Sequence, residues 1–435
     1  MFTALQNSSL IHGAIPITVW LLSLAAFGAV VSRRPVRRWS LAFALAAAFG
    51  GGLGFALAWY LGDVRNDFGV TLAFLTRAWF AIGVAGVTVG GVSLWRARRW
   101  RIPAGIASIV LFALLAAVGI NATIGQFPTV ADALGADLVH PLHLSKHARP
   151  HTTSRLAQPL WESWHAPADL PARGTVGTVV IPATASHFAA RGAIVYLPPA
   201  ALVKNAPLLP VLVFLGGQPG SPQTVVTAGQ LPEIMNAFAA AHHGLAPIVV
   251  IPDQLGTSAA NPMCLDSSLG NVESYLTVDV PNWIRSHLGV LSGRSSWTIA
   301  GFSEGGTCSI QLGTTYRSLF GSILDISGQV APLNRTVAHT IKVGFRGSIA
   351  AYHAGSARSL LAAGSPFTTT LGIFVCGQND AKYGPETFQV ERDAREAHMQ
   401  VQALLSPGTA HDWYTEQYGL KAGLPLLAQR WGMTS

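Results

Sequence analysis

The chain has 435 residues, half of them apolar and only 11% charged, with a formal charge of +8 at neutral pH. The surplus sits entirely in the first 125 residues, which hold ten arginines against two acidic residues, while the remainder carries 18 basic and 18 acidic side chains. A basic footprint spread over a folded domain, as nucleic-acid binding requires, is therefore argued against, and no nucleic-acid partner is expected.

Four apolar stretches occupy about 13–31, 40–61, 70–95 and 103–124, each close to the ~20 residues that cross a hydrocarbon core. Arg33, Arg34, Arg37 and Arg38 separate the first two, and Arg96, Arg98, Arg99 and Arg101 the last two. The positive-inside rule places both clusters in the cytoplasm. The start Met1–Leu10, the loop Gly62–Asp67 and everything after the fourth stretch are then extracytoplasmic. The first stretch lacks a basic start, which argues against a cleaved signal peptide. Gly50 and Gly54, and Gly86 and Gly90, have the small-xxx-small spacing that lets helix backbones approach, so the four stretches read as an all-α transmembrane bundle. Arg77 is the one charge inside a stretch and is expected to reach the headgroups or Asp63 and Asp67 rather than to line a path.

Residues 126–173 read as an extracytoplasmic connector rich in Pro, His and Ala. His140, His143, His147 and His151 fall at helical spacing, but Pro141 and Pro150 interrupt a helix and no nearby Cys or carboxylate cluster completes a metal site. From Gly174 the pattern alternates β and α segments, with strands expected at Thr178–Pro182, Ala193–Leu197, Val211–Leu215, Ile248–Ile251, Trp297–Ala300, Gly321–Ile326, Leu371–Val375 and Val401–Leu405. That alternation predicts a doubly wound, mostly parallel sheet over 174–435.

The segment WTIAGFSEGGTCSI, Trp297 to Ile310, has the form of a nucleophile elbow. A sharp strand-to-helix turn leaves no room for side chains beside it, so glycines flank the serine it exposes. Ser303 is the expected nucleophile, and a serine hydroxyl needs a base to take its proton during attack. His411, in a Gly/Pro loop after the last predicted strand, suits that role. Asp380, after the strand ending near Val375, is expected to orient the imidazole and stabilise its charged form, with Asp325 as the competitor. This chemistry needs neither cofactor nor metal, and neither is expected.

The runs AIVYLPP from Ala193 to Pro199, VESYLTVDVPNW from Val272 to Trp283, GFSEGG around Ser303 and GTAHDW from Gly408 to Trp413 together resemble the esterase family that includes esterase D, enterochelin esterases and the antigen 85 mycolyltransferases. The resemblance covers about 174–435 and implies an α/β-hydrolase fold with serine acyl-transfer chemistry. Such chemistry needs two backbone N–H groups aimed at the developing oxyanion. One would be that of Glu304. The other would come from Gly216-Gly217-Gln218-Pro219-Gly220, where Pro219 cannot donate and comparison with the family favours Gln218 over Gly217. The mycolyltransferases hold trehalose through an acidic residue and an arginine in this loop. Gly216 and Pro219 or Gly220 stand near those places here, so trehalose specificity is not implied. Glu304 itself replaces the more usual methionine. Cys264 and Cys308 are candidates for a disulfide, against three free buried thiols including Cys376.

The function expected is that of a membrane-anchored, extracytoplasmic serine esterase or acyl hydrolase. It would act through an acyl-enzyme on Ser303 on acyl esters, with lipid or cell-envelope esters favoured by the anchor. The alternatives are acyl transfer to a sugar or glycan hydroxyl and, from another class, a non-catalytic envelope-binding module. The oligomeric state is left open.

Overall fold

The computed structural model describes residues 6–32, 36–65, 69–136, 139–143 and 158–434. Arg33, Arg34, Asn66, Asp67, His147, Pro150 and His151 lie outside the described residues. The chain divides into two compact units, Met1–Ala136 and Asp137–Ser435.

Among its described residues the first unit holds four long helices, α1 (Ala14–Val31), α2 (Val36–Trp59), α3 (Phe74–Leu94) and α4 (Ile102–Ile124). All four are long and apolar enough to cross a membrane. Their outward faces suit that solvent, since Leu41, Leu45 and Phe49 are each more than 60% exposed. The small residues mark the contacts: a Cβ at Gly54 would lie 2.6 Å from the Phe80 carbonyl oxygen, and one at Gly90 would lie 2.7 Å from Ile109. Thr88 Oγ1 on α3 donates to the Ala46 carbonyl on α2 at 2.8 Å, a polar tie of the kind apolar bundles use. Arg77 Nη2 pairs with Asp63 at 2.9 Å and its Nε donates to the Leu72 carbonyl. Its charge is thus paired near the start of α3.

The second unit is built on an eight-stranded sheet. Its strands are β1 (Thr175–Val179), β2 (Ala193–Leu197), β3 (Val211–Leu215), β4 (Ile248–Ile251), β7 (Trp297–Phe302), β8 (Ser322–Ile326), β9 (Leu371–Gly377) and β10 (Gln400–Ser406), in the order β1-β2-β4-β3-β7-β8-β9-β10. From β4 to β10 every pairing is parallel, while β1 and β2 are antiparallel additions at one edge. The central strands are buried along their whole length, as a parallel sheet covered on both faces requires. This is an α/β-hydrolase fold.

The first strand begins three residues earlier than its pattern suggested. Thr175 to Val179 pair with Leu197 to Ala193, and the chain leaves the sheet before Pro182, which has no N–H for the ladder. A short hairpin, β5 (Asp266–Ser267) with β6 (Gly270–Asn271), was not anticipated, because two-residue strands carry no periodic signal. His140 gives its carbonyl to the Thr178 N–H at 2.9 Å and belongs to the β1 edge.

Candidate active site

The parallel strands all end on one side of the sheet, where crossover loops converge and ligands bind in such folds. The loops that follow β3, β4, β7, β8, β9 and β10 meet there.

Ser303 lies between β7 and the helix α5 (Glu304–Thr315), with φ 58° and ψ −114°. A non-glycine residue in this region is strained and persists only where the surroundings force it. They do so here. The Ser303 N–H donates to the Ile326 carbonyl at 2.8 Å, a Cβ on Gly301 would press into the Gly305 backbone, and one on Gly305 would lie 2.6 Å from the Gly216 oxygen. The elbow is thus clamped by glycines on both sides.

His411 Nε2 is 2.9 Å from Ser303 Oγ, and its Nδ1 is 2.9 Å from Asp380 Oδ2. The imidazole stacks on Phe302 at 5.0 Å between ring centroids and meets Tyr383 at 4.5 Å, so it has little freedom to swing. Its loop is anchored by Asp412, which accepts from the Thr415 N–H at 3.0 Å and so caps the helix α6 (Trp413–Arg430). The Asp380 loop is tied to it where Asn379 N–H donates to the Thr409 carbonyl at 2.8 Å.

Burial by itself would raise the Asp380 carboxyl. The hydrogen bond and charge of His411, with backbone N–H groups of Tyr383 and Lys382, outweigh it and hold Asp380 below the usual carboxylate range. An ionised carboxylate on Nδ1 fixes the tautomer that leaves Nε2 free to accept the serine proton.

Asp325 stands elsewhere. It is fully buried near the end of β8, with Oδ1 accepting from the Gly328 N–H at 2.9 Å and Oδ2 without a partner among the described residues. Burial pushes its carboxyl up to about 7. Of the two acids weighed from the sequence, Asp380 is the one that meets His411.

The loop after β3 runs alongside the serine, and a Cβ on Gly217 would be 3.5 Å from Ser303 Cβ. The Gln218 side chain donates to the Ala259 carbonyl at 3.2 Å, turning away towards the loop after β4. Glu304 is the first residue of α5. The first intrahelical bond runs from Thr307 N–H to the Ser303 carbonyl, so the Glu304 amide is one of the initial N–H groups the helix itself leaves unpaired.

Several neighbours were not legible in the sequence. Arg191 makes a bidentate pair with Asp253, at 3.0 Å from Nε and 2.7 Å from Nη2, and gives a further bond to the Gly220 carbonyl. It braces the loop after β3 from outside. Asp279, within the VESYLTVDVPNW run, accepts from Ala185 and Ser186 and holds a loop near β2 rather than the site. Neither spacing nor residue type marks these long-range partners.

Cys264 and Cys308 are joined by a disulfide across 44 residues, and Cys376 is a buried free thiol. The bridge ties the segment after β4 to α5. That segment is in turn laced to the one after β8: Asn261 Nδ2 donates to the Leu333 carbonyl, Asn334 Nδ2 to the Asn261 carbonyl, and Ser268 Oγ to the Val343 carbonyl.

A family model described as "Putative esterase" matches residues 189–421, more than half the chain and all the residues of this site. The chain belongs to the esterase family. An uncharacterized protein of Corynebacterium glutamicum is 38% identical over 200 residues, covering 45% of this chain and 47% of that relative. The match thus spans about half the length of the curated relative. Among solved structures, a ferulic acid esterase aligns over 60% of this chain and 99% of its own at 18% identity, with a TM-score of 0.51, a likeness of fold. An S-formylglutathione hydrolase from Agrobacterium tumefaciens aligns over 60% and 96% at 21% identity, with a TM-score of 0.49.

The buried acids of this esterase have a consequence for stability. Burial pushes Glu304 up to about 8 and Asp325 up to about 7, and raises Glu416, buried with neither oxygen partnered among the described residues, well above the usual range. Each binds a proton when folded at a pH where the unfolded chain has released it, so stability falls as pH rises from about 4 to about 8. Asp380 acts in the opposite sense, at lower pH. Thermal melts in detergent are expected to give a higher midpoint at pH 5.5 than at pH 8.5, and the reverse order would show that these acids are ionised in the fold.

Proposed function

We propose that the protein is a serine esterase whose nucleophile is Ser303, with His411 as general base and acid and Asp380 orienting the imidazole. The observation that carries this reading is the unbroken Ser303–His411–Asp380 hydrogen-bond line on a strained elbow. His411 Nε2 takes the Ser303 proton as Oγ attacks the acyl carbon. The amides of Glu304 and Gln218 receive the developing oxyanion. His411 then returns the proton to the departing alkoxide, leaving the acyl group on Ser303. Water then attacks the acyl carbon as His411 takes its proton, the bond from that carbon to Oγ breaks, and His411 passes the proton to Ser303 Oγ, releasing the acid and restoring the serine.

The membrane region 1–125 anchors the catalytic domain, 174–435, through the connector 126–173, and both arginine clusters lie in the cytoplasm. The catalytic domain then faces the extracytoplasmic side, where acyl-lipid and envelope esters are concentrated. The four apolar helices and the charge asymmetry support this arrangement.

Fluorophosphonate labelling of membranes containing the full chain tests the chemistry. A labelled band that competes with a short-chain acyl ester is expected, and folded protein that takes no label would favour a binding module. Alkaline phosphatase fused after Gly125 is expected to be active, and fused after Arg38 inactive. The opposite pattern would place the catalytic domain in the cytoplasm.

A further inference from the structure

Glu304 follows the nucleophile directly, yet its side chain is buried beneath the site, 7% exposed. Its Oε2 accepts from Gln254 Nε2 at 3.2 Å, and the same Nε2 donates to the Gly216 carbonyl at 2.6 Å. One amide thus bridges the loop after β3 to the first residue of α5, the two segments from which the oxyanion donors come. The other oxygen, Oε1, lies 3.1 Å from Cys308 Sγ and 3.7 Å from Cys264 Sγ. Neither sulfur of a disulfide has a proton to give, so any hydrogen bond at this contact is donated by the carboxyl itself.

We propose that Glu304 in its neutral form, together with Gln254, is a positioning residue for acyl transfer: the pair holds the amides of Gln218 and Glu304 in register, and loss of the carboxyl proton disables the site. This rests on the serine esterase reading above and extends it to a side chain that takes no part in the proton relay. Ionisation acts in two ways. A carboxylate facing sulfur lone pairs has no donor at Oε1, and it draws the Gln254 amide away from Gly216. It also sets a negative charge beside the place where the oxyanion forms, in a region of low dielectric.

The charged groups facing Glu304 are few. Asp253, at the end of β4, favours the protonated form through its charge and is itself paired with Arg191. Asp325 packs against Gly306, half a turn round α5, and His411 with Asp380 lies beyond Ser303. Burial pushes the Glu304 carboxyl up to about 8, inside the range where an esterase is assayed. The Cys376 thiol is pushed up to about 12 and the Tyr383 phenol is raised too, so neither titrates there. Lys382, lowered by burial, contacts Tyr383, and its titration would appear alike in every variant of Glu304.

The test is the pH profile of kcat for the detergent-solubilised full chain, with hydrolysis of a short-chain aliphatic ester followed by pH-stat. With a group titrating at about 8, kcat is expected to fall about thirtyfold between pH 7 and 9.5, KM changing little. In Glu304→Gln, which cannot ionise, the fall over the same interval is expected to be under about threefold. A variant that falls as steeply as the wild type, or a wild type with no fall, overturns the proposal. Gln254→Leu is expected to lower kcat by about 10- to 100-fold with KM within a few-fold. Should it melt at assay temperature, the Glu304→Gln profile decides alone. A wild type that neither hydrolyses ester nor takes fluorophosphonate would instead sink the esterase reading, and this proposal with it.

Discussion

Replacing Ser303 with Ala is expected to lower kcat for acyl esters by about 10⁴- to 10⁶-fold and to abolish fluorophosphonate labelling, while KM shifts little. The size follows from what remains. Without Oγ there is no acyl-enzyme, and His411 can only polarise a water lying where the hydroxyl stood, so residual rate comes from substrate binding and the oxyanion donors. The fold should survive, since the Oγ bond to His411 is not what holds the elbow: it is held by the Ser303 N–H on Ile326 and by the close approach of Gly301 and Gly305. His411→Ala is expected to cost nearly as much, and the double variant little more than either alone, because groups acting as one unit do not add. Purified enzyme assayed by burst and steady-state kinetics checks this. A Ser303→Ala variant retaining more than about 1% of wild-type turnover would mean that another group carries the reaction.

The second large effect separates two buried acids. Asp380→Asn preserves shape but removes the charge that fixes the imidazole tautomer, and kcat is expected to drop by about 10⁴-fold. Asp325→Asn should change kcat by less than about tenfold, because that carboxyl contacts the Gly328 amide and the nucleophile helix, not His411. The same substitution removes an acid whose burial raises it to about 7, so it is expected to raise the melting temperature at pH 8.5 by a few degrees. A large kinetic defect in Asp325→Asn beside a mild one in Asp380→Asn would reverse the assignment.

Much of this site could be read from the chain, and the reason is local. An elbow is a contiguous stretch whose steric demands fall on its own glycines, so Gly301, Ser303 and Gly305 announce themselves. Asp380 and His411 follow in chain order, each in a loop that closes a recognisable apolar strand. The four long apolar helices are equally explicit, because a hydrocarbon solvent would impose both their length and their flanking charge. What stayed hidden depends on three-dimensional neighbours. Nothing near Gln254 in the chain says that its amide will bridge Gly216 and Glu304, since those partners are 38 and 50 residues distant. Arg191 lies 62 residues from Asp253, and both look like ordinary surface charges until the sheet brings β2 beside β4. The start of β1 was misjudged for a related reason: as an antiparallel edge strand its limits are set by what β2 offers, not by its own apolar run.

The lacing of the segments after β4 and β8 bears on which esters can enter. Asn261, Ser268 and Asn334 stitch them together, and the Cys264–Cys308 bridge pins one to the helix carrying the nucleophile. Segments tied in this way behave as a hoop rather than as a pair of jaws, for spreading them at one point strains ties elsewhere. For the serine esterase proposed above, turnover across a series of increasingly bulky acyl groups is expected to drop at a threshold instead of tapering.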